Sequence, residues 1–199
     1  MNAFTKKFAC LLLTIAGLVI LPTLAHCGSL YFVIDRSGSM APYAGEIKAI
    51  ALGIIERFPD AEVVLFNDKA ETVESKQDLV KKLQFRGGTD YGQFFRQVGK
   101  NPPHALIFLT DGGDNVPSQG LHEGLTLRSK GVKQWCTLYI GAKRKVPALL
   151  TKISDKVIQN PGISAGVEEC LVEIKARKGI TDDYRNIDIE NLSKKLSSY

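Results

Sequence analysis

Histidine and cysteine are scarce in this chain, 3 and 4 of 199 residues, and neither stands in its loops rich in serine, threonine and aspartate. The cysteines Cys10, Cys27, Cys136 and Cys170 lack the short paired spacing of a zinc site, and His104 and His122 fall in no ligand pattern, so both histidines are read as surface or packing residues. GxSxG, HExxH, Walker and GxGxxG patterns are absent, which removes sequence support for the chemistries they mark. No internal repeat or low-complexity linker divides the chain, so one domain is the economical count. Excess charge is small as well. The formal +5 falls to +3 without Lys6 and Lys7, too little to imply a nucleic-acid partner.

What is present begins with residues 1–25, which read as an export signal: Lys6 and Lys7, then Phe8 to Ala25 interrupted only by Thr14, Pro22 and Thr23, closing on small residues. Cleavage after Ala25 would release the rest to the periplasm or the medium. The 18-residue run is alternatively just long enough to remain as a membrane anchor. A third fate is lipidation at Cys27, since "LAHC" resembles a bacterial lipoprotein box, from which His26 departs. In an oxidising compartment the remaining cysteines give one disulfide and one spare thiol, with Cys136 and Cys170 the pair if Cys27 is lipidated or flexible. As small buried hydrophobes the same two residues would need no bond.

Beyond the signal, short apolar runs alternate with amphipathic stretches, the pattern of an α/β fold on a largely parallel sheet. Leu30 to Ile34 is nearly continuous in apolar residues, as expected of a strand buried on both faces. Ile47, Ile50, Ala51, Ile54, Ile55 and Phe58 recur at helical spacing and predict a helix over 44–58. Strands follow at 61–66 and, as a short edge strand, at 70–74. A short helix with Leu79, Val80 and Leu83 inward precedes "RGGTDYG", and a helix carrying Phe94, Phe95 and Val98 comes after it. "HALIFLT", 104–110, is the most strand-like run and opens into "DGGDNVPSQG". A helix is predicted at 119–130, a strand at 134–140 around the core residue Trp135, a helix from Pro147 to about Val157, and a short strand at Val157 and Ile158. Val167, Cys170, Leu171 and Ile174 mark a further helix, and 179–199 reads as a tail or docked helix.

Three loops then hold the chemistry. Asp35, Ser37 and Ser39 follow the carboxyl end of the first strand in "DRSGSM". Thr89 and Asp90 lie just before a helix, and Thr110 and Asp111 end the strand at 104–110. In an open parallel sheet, binding groups collect beyond the carboxyl ends of the strands, where rigid strands hold converging loops. Carboxylate and hydroxyl oxygens suit a hard divalent cation, and the lack of histidine and cysteine there argues against zinc or copper. Alone, "DRSGSM" equally fits a helix N-cap.

In combination, "DRSGSM", the "GGTD" threonine and "FLTDG" resemble the metal-ion-dependent adhesion site of the von Willebrand factor type A (vWA) family. The resemblance runs over roughly 29–175, within a domain drawn at 29–178, and places Asp35, Ser37, Ser39, Thr89 and Asp111 as metal positions. It implies a Rossmann-like vWA fold: a central, mostly parallel sheet with one short antiparallel edge strand and helices on both faces. It also implies a divalent cation, magnesium first and manganese or calcium as alternatives, which accepts an Asp or Glu carboxylate from a protein partner. Asp90, Thr110 and Asp114 stand beside these positions, either holding a metal-bound water or serving as cap, turn and strand residues. Lys143, Arg144 and Lys145 offer contact to an acidic patch or are a solvated loop.

The function expected on these grounds is partner binding by an exported, non-enzymatic module, touching a membrane only through its N-terminus. With two residues between Cys27 and the first strand, any tether would attach at the end of the sheet opposite the site. A subunit or adaptor role in an envelope assembly is a variant of that reading. A metal-dependent phosphatase with Asp35 as nucleophile is the competing one, weakened because Ser37 stands where a second acid would be expected.

Overall fold

Strand β1 (Leu30–Asp35) lies between two parallel neighbours, β2 (Glu62–Phe66) and β4 (Ala105–Thr110), and all six of its residues are buried. The computed structural model describes residues 29–140, 145–159 and 162–176. The signal at 1–25, Cys27, Lys143, Arg144 and the segment 179–199 lie outside the described residues. Among the described residues no helix is long and apolar enough to cross a membrane.

The sheet has six strands in the order β3-β2-β1-β4-β5-β6, where β3 is Ala70–Val73, β5 Gln134–Tyr139 and β6 Lys156–Gln159. Only β3 runs antiparallel, returning from β2 through the turn at Asn67–Lys69, where Lys69 O accepts from Asn67 N at 2.9 Å and Asn67 Oδ1 accepts from Lys69 N at 3.1 Å. The expected α/β class, mostly parallel with one antiparallel edge strand, is therefore the observed one.

Alternation along β1 builds the two cores. Leu30, Phe32 and Ile34 face helices α1 (Ala44–Arg57), α2 (Lys76–Lys82) and α6 (Ile163–Ala176). They meet Ile47, Ile50 and Ile54 of α1, Leu79 of α2, and Val167 and Leu171 of α6. Tyr31 and Val33 face the other side, toward α3 (Tyr91–Val98), α4 (Pro117–Ser129) and α5 (Ala148–Ile153). There Phe94 lies 4.8 Å from Phe66 and 4.6 Å from Phe108 between ring centroids, so α3 is set against the sheet by aromatic packing. A continuously apolar strand is thus the consequence of helices on both faces.

Cys136 on β5 and Cys170 on α6 are joined by a disulfide that ties α6 to the sheet.

Two sequence expectations need correction. Val80 is half exposed, not inward: α2 has only seven residues, and its one buried residue, Leu79, uses the face toward α1. The helix after Pro147 stops at Ile153, not near Val157, because Ser154 is extended and the next residue is held to the sheet. The Asp155 carboxylate accepts from Trp135 N at 2.7 Å and from the Arg128 guanidinium at 2.7 and 2.9 Å, which turns Val157 and Ile158 into β6.

β1 connects to β2 on one side, while its other neighbour is β4, which begins the run to β5 and β6. The sheet therefore changes winding direction between β1 and β4, and the crevice beyond their carboxyl ends is the position where open α/β sheets take ligands. Asp35 and Thr110 end these two strands.

Candidate functional site

Asp35 is completely buried. Its Oδ1 accepts from Ser37 N at 2.8 Å and its Oδ2 from the Thr110 hydroxyl at 2.8 Å. Among the described residues no cationic side chain forms an ion pair with it, and burial pushes its proton affinity up to a pKa of about 6. Hydrogen bonds from Ser37 and Thr110 pull the other way, and the nearby Asp111 charge adds to the rise. Asp35 is thus a buried anion with polar partners and, among the described residues, no countercharge. In the folded, metal-free chain this carboxyl holds its proton more tightly than the usual 3.8, so stability present at low pH is lost as pH rises through about 6. The loss amounts to about 3 kcal/mol. Denaturant titrations in chelator on either side of that window check it.

Ser37 occupies the N-cap position of the 3-10 turn Gly38–Tyr43, yet its side chain makes no capping bond. Its Oγ lies 3.1 Å from Ser39 Oγ, with Ser39 exposed and Ser37 buried. The hydroxyl pair is therefore not spent on the helix end, which separates it from the N-cap alternative.

The other loops are tied to this one through their backbones. Gly87 O accepts from Gly38 N at 3.2 Å and Arg36 O from Arg86 N at 3.0 Å, drawing the "RGGTD" loop onto the "DRSGS" loop. Thr89, itself buried, accepts at its carbonyl from Asn115 N at 2.8 Å, which fastens the third loop to the second. Thr110 closes the triangle through its bond to Asp35. The structure thus brings the loops carrying Asp35, Ser37, Ser39, Thr89 and Asp111 to one place, with Asp111 half-buried at its edge.

The flanking acids have structural partners. Asp90 caps α3, accepting from Gly92 N and from Gln93 Nε2, both at 2.9 Å. Asp114 Oδ1 accepts from Val116 N at 3.1 Å and Tyr91 N at 3.4 Å, while its Oδ2 is buried without a partner and burial raises its pKa. Thr110 is more than the last strand residue, since its hydroxyl holds Asp35. Of the basic run, only Lys145 lies among the described residues, and it is exposed.

Sequence reasoning did not single out Tyr91 or Arg36. The Tyr91 hydroxyl lies 3.0 Å from Thr110 Oγ1, and its ring packs on Phe108 at 5.2 Å, so the aromatic core positions the residue that positions Asp35. The tyrosine following the cap residue Asp90 was the available signal. Arg36 stands between the motif residues and turns away from them, pairing with Glu71 at 2.6 Å.

Gly112 follows Asp111 at φ 92°, and a Cβ there would run into the buried Tyr139 ring. Gly112→Ala is expected to lower stability by about 1–3 kcal/mol in a denaturant titration, because both the backbone conformation and the ring oppose it.

The donors here, carboxylates and neutral hydroxyls around a buried uncompensated charge, fit a hard cation. Among the described residues no group of three or more His, Cys, Asp or Glu side chains gathers to hold a metal, here or elsewhere, so hydroxyl oxygens would have to complete the donor set at this site. Asp35 is poorly placed as a nucleophile, since both oxygens are engaged and none of the residue is exposed.

No family model matches the chain, and no curated protein matches it. Among solved structures, it is similar to manganese-loaded Plasmodium vivax TRAP protein at 15% identity and a TM-score of 0.49, covering 72% of each chain. It is also similar to a fusion carrying the trimeric coiled coil of yeast Spc42, at 14% identity and a TM-score of 0.39, covering 84% of this chain and 94% of that one. The fold class follows from the chain's own strand order and register.

Proposed function

We propose that this chain is an exported module of the von Willebrand type A kind that binds a protein partner through a divalent cation, magnesium foremost, at Asp35, Ser37, Ser39, Thr89 and Asp111. The observation that carries the reading is the closed triangle of loops around a buried carboxylate that has no countercharge among the described residues. Asp35 supplies negative charge, Ser37, Ser39 and Thr89 supply neutral oxygens, and Asp111 brings a second carboxylate to the rim. When bound, a divalent cation offers an electrophilic position to a carboxylate from outside. With few formal charges in the donor set, the ion's charge is not cancelled by the chain.

The chain's residues do the positioning. Thr110 and Ser37 N hold Asp35, Tyr91 holds Thr110, and the Gly38–Gly87 and Asn115–Thr89 bonds hold the loops together. The site lies at the carboxyl end of β1, while the N-terminal segment enters at the opposite end, so a tethered chain would present the site away from a membrane.

The test is a pull-down from the native organism with magnesium and with chelator, using wild type and Ser37→Ala/Ser39→Ala. A partner retained only by wild type with metal supports the proposal. Equal retention in all arms rules it out.

A further inference from the structure

Next to the triangle of loops, on the side of β2 and β3, lies an open cavity of about 470 Å³. That volume falls within the roughly 300–1,000 Å³ of ligand clefts and is far larger than a single ion requires. The lining is mostly polar, and no aromatic or aliphatic side chain contributes to it. A nucleobase would find no stacking platform and an apolar ligand no surface. Five of the lining side chains are cationic, against two carboxylates, Asp68 and Glu71.

Those charges are not equally committed. Glu71 is taken by Arg36 at 2.6 Å, and Lys82 is held by Asp78 at 2.7 Å and by Thr72 O at 2.9 Å. Lys69, Lys81 and Arg86 are exposed and form no ion pair among the described residues. Arg36 is only 7% exposed, and although its terminal nitrogens donate to Glu71 and to Lys82 O, its Nε is buried without a partner. A buried guanidinium N–H without an acceptor is costly, and Arg36 keeps its positive charge in the cavity wall.

The cavity and the candidate cation site share a wall. Arg36 follows Asp35 directly, Gly87 precedes Thr89 by two residues, and Arg36 O accepts from Arg86 N. We infer that the cavity receives the acidic side chains of an extended peptide segment, the neighbours of the carboxylate that the cation would take. This assigns the partner's chemistry as a run of Asp and Glu. It rests on the adhesion-site reading for the joint contact alone, because the anion affinity comes from the cavity's own cations.

The experiment is fluorescence anisotropy of a labelled hexaglutamate peptide against the full chain, with magnesium and with chelator at one ionic strength. Lys69→Glu/Arg86→Glu is expected to weaken binding about tenfold or more in both conditions, since reversal removes two attractions and adds two repulsions. Lys130→Glu/Lys133→Glu makes the same change in net charge just before β5, at the opposite end of the sheet, and is expected to leave binding within about twofold. Equal weakening by the two double variants overturns the inference, because net charge alone would then explain it. So does competition by inorganic phosphate as effective as that of unlabelled peptide. Asp35→Asn is expected to lose only the gain that magnesium confers. If magnesium gives wild type no gain while Lys69→Glu/Arg86→Glu still weakens binding, the cavity assignment stands and the cation reading fails.

Discussion

Asp35→Asn is expected to abolish any stabilisation of the chain by magnesium and, in chelator at neutral pH, to make the protein more stable than wild type by about 3 kcal/mol. The two effects have one cause. Asp35 is fully buried without a cationic partner among the described residues, and its carboxyl is pushed up to a pKa of about 6. Ionising it in the metal-free fold therefore costs free energy that a neutral amide of the same shape avoids. The amide keeps an oxygen for Ser37 N, and its NH₂ can donate to the Thr110 hydroxyl, which then donates onward to Tyr91. Thermal melts of both proteins with and without magnesium give the readout. A purely structural Asp35 would give the opposite sign in chelator, because its hydrogen bonds would be weakened with nothing regained.

Reduction of the Cys136–Cys170 disulfide is expected to lower the unfolding free energy by about 4 kcal/mol while leaving the magnesium response in place. The bond closes a loop over a sequence separation of 34. In the chain-entropy account, opening a loop of that length returns about 4 kcal/mol of conformational freedom to the unfolded chain. α6 also packs Val167, Leu171 and Ile174 into the core, so the helix stays a packed element after reduction. The site lies on loops that this bond does not touch. Denaturant titrations with and without reductant measure the loss, and a midpoint unmoved by reductant would contradict it.

The parts legible in the sequence are those whose signal is local. The apolar run Leu30 to Ile34 announces a strand covered on both faces, and the spacing of Ile47, Ile50 and Ile54 announces the helix beside it. The loop motifs, taken together, pointed to one location because the end of a parallel strand is where such loops converge. The links that close the site had no such signature. Gly38 to Gly87 and Asn115 to Thr89 are backbone bonds between remote loops, and any residue type can make them. Tyr91 is a core aromatic, and its hydroxyl's second task at Thr110 depends on tertiary placement. Val80 was misjudged because a two-turn helix buries too narrow a stripe for periodicity to rank its neighbours. The break after Ile153 came from Asp155 holding Trp135 N and Arg128, contacts set by the sheet and not by the local sequence. Arg36 fell in an unconstrained position of the motif, so its burial and its part in the adjoining cavity appeared only with the fold.

Calorimetric titration of magnesium into the chelated full chain at neutral pH is the most direct measurement of the central claim. The account predicts saturable binding of one ion per chain that disappears in Asp35→Asn and weakens in Ser37→Ala/Ser39→Ala. Absence of binding by wild type, or binding that survives Asp35→Asn unchanged, would contradict it.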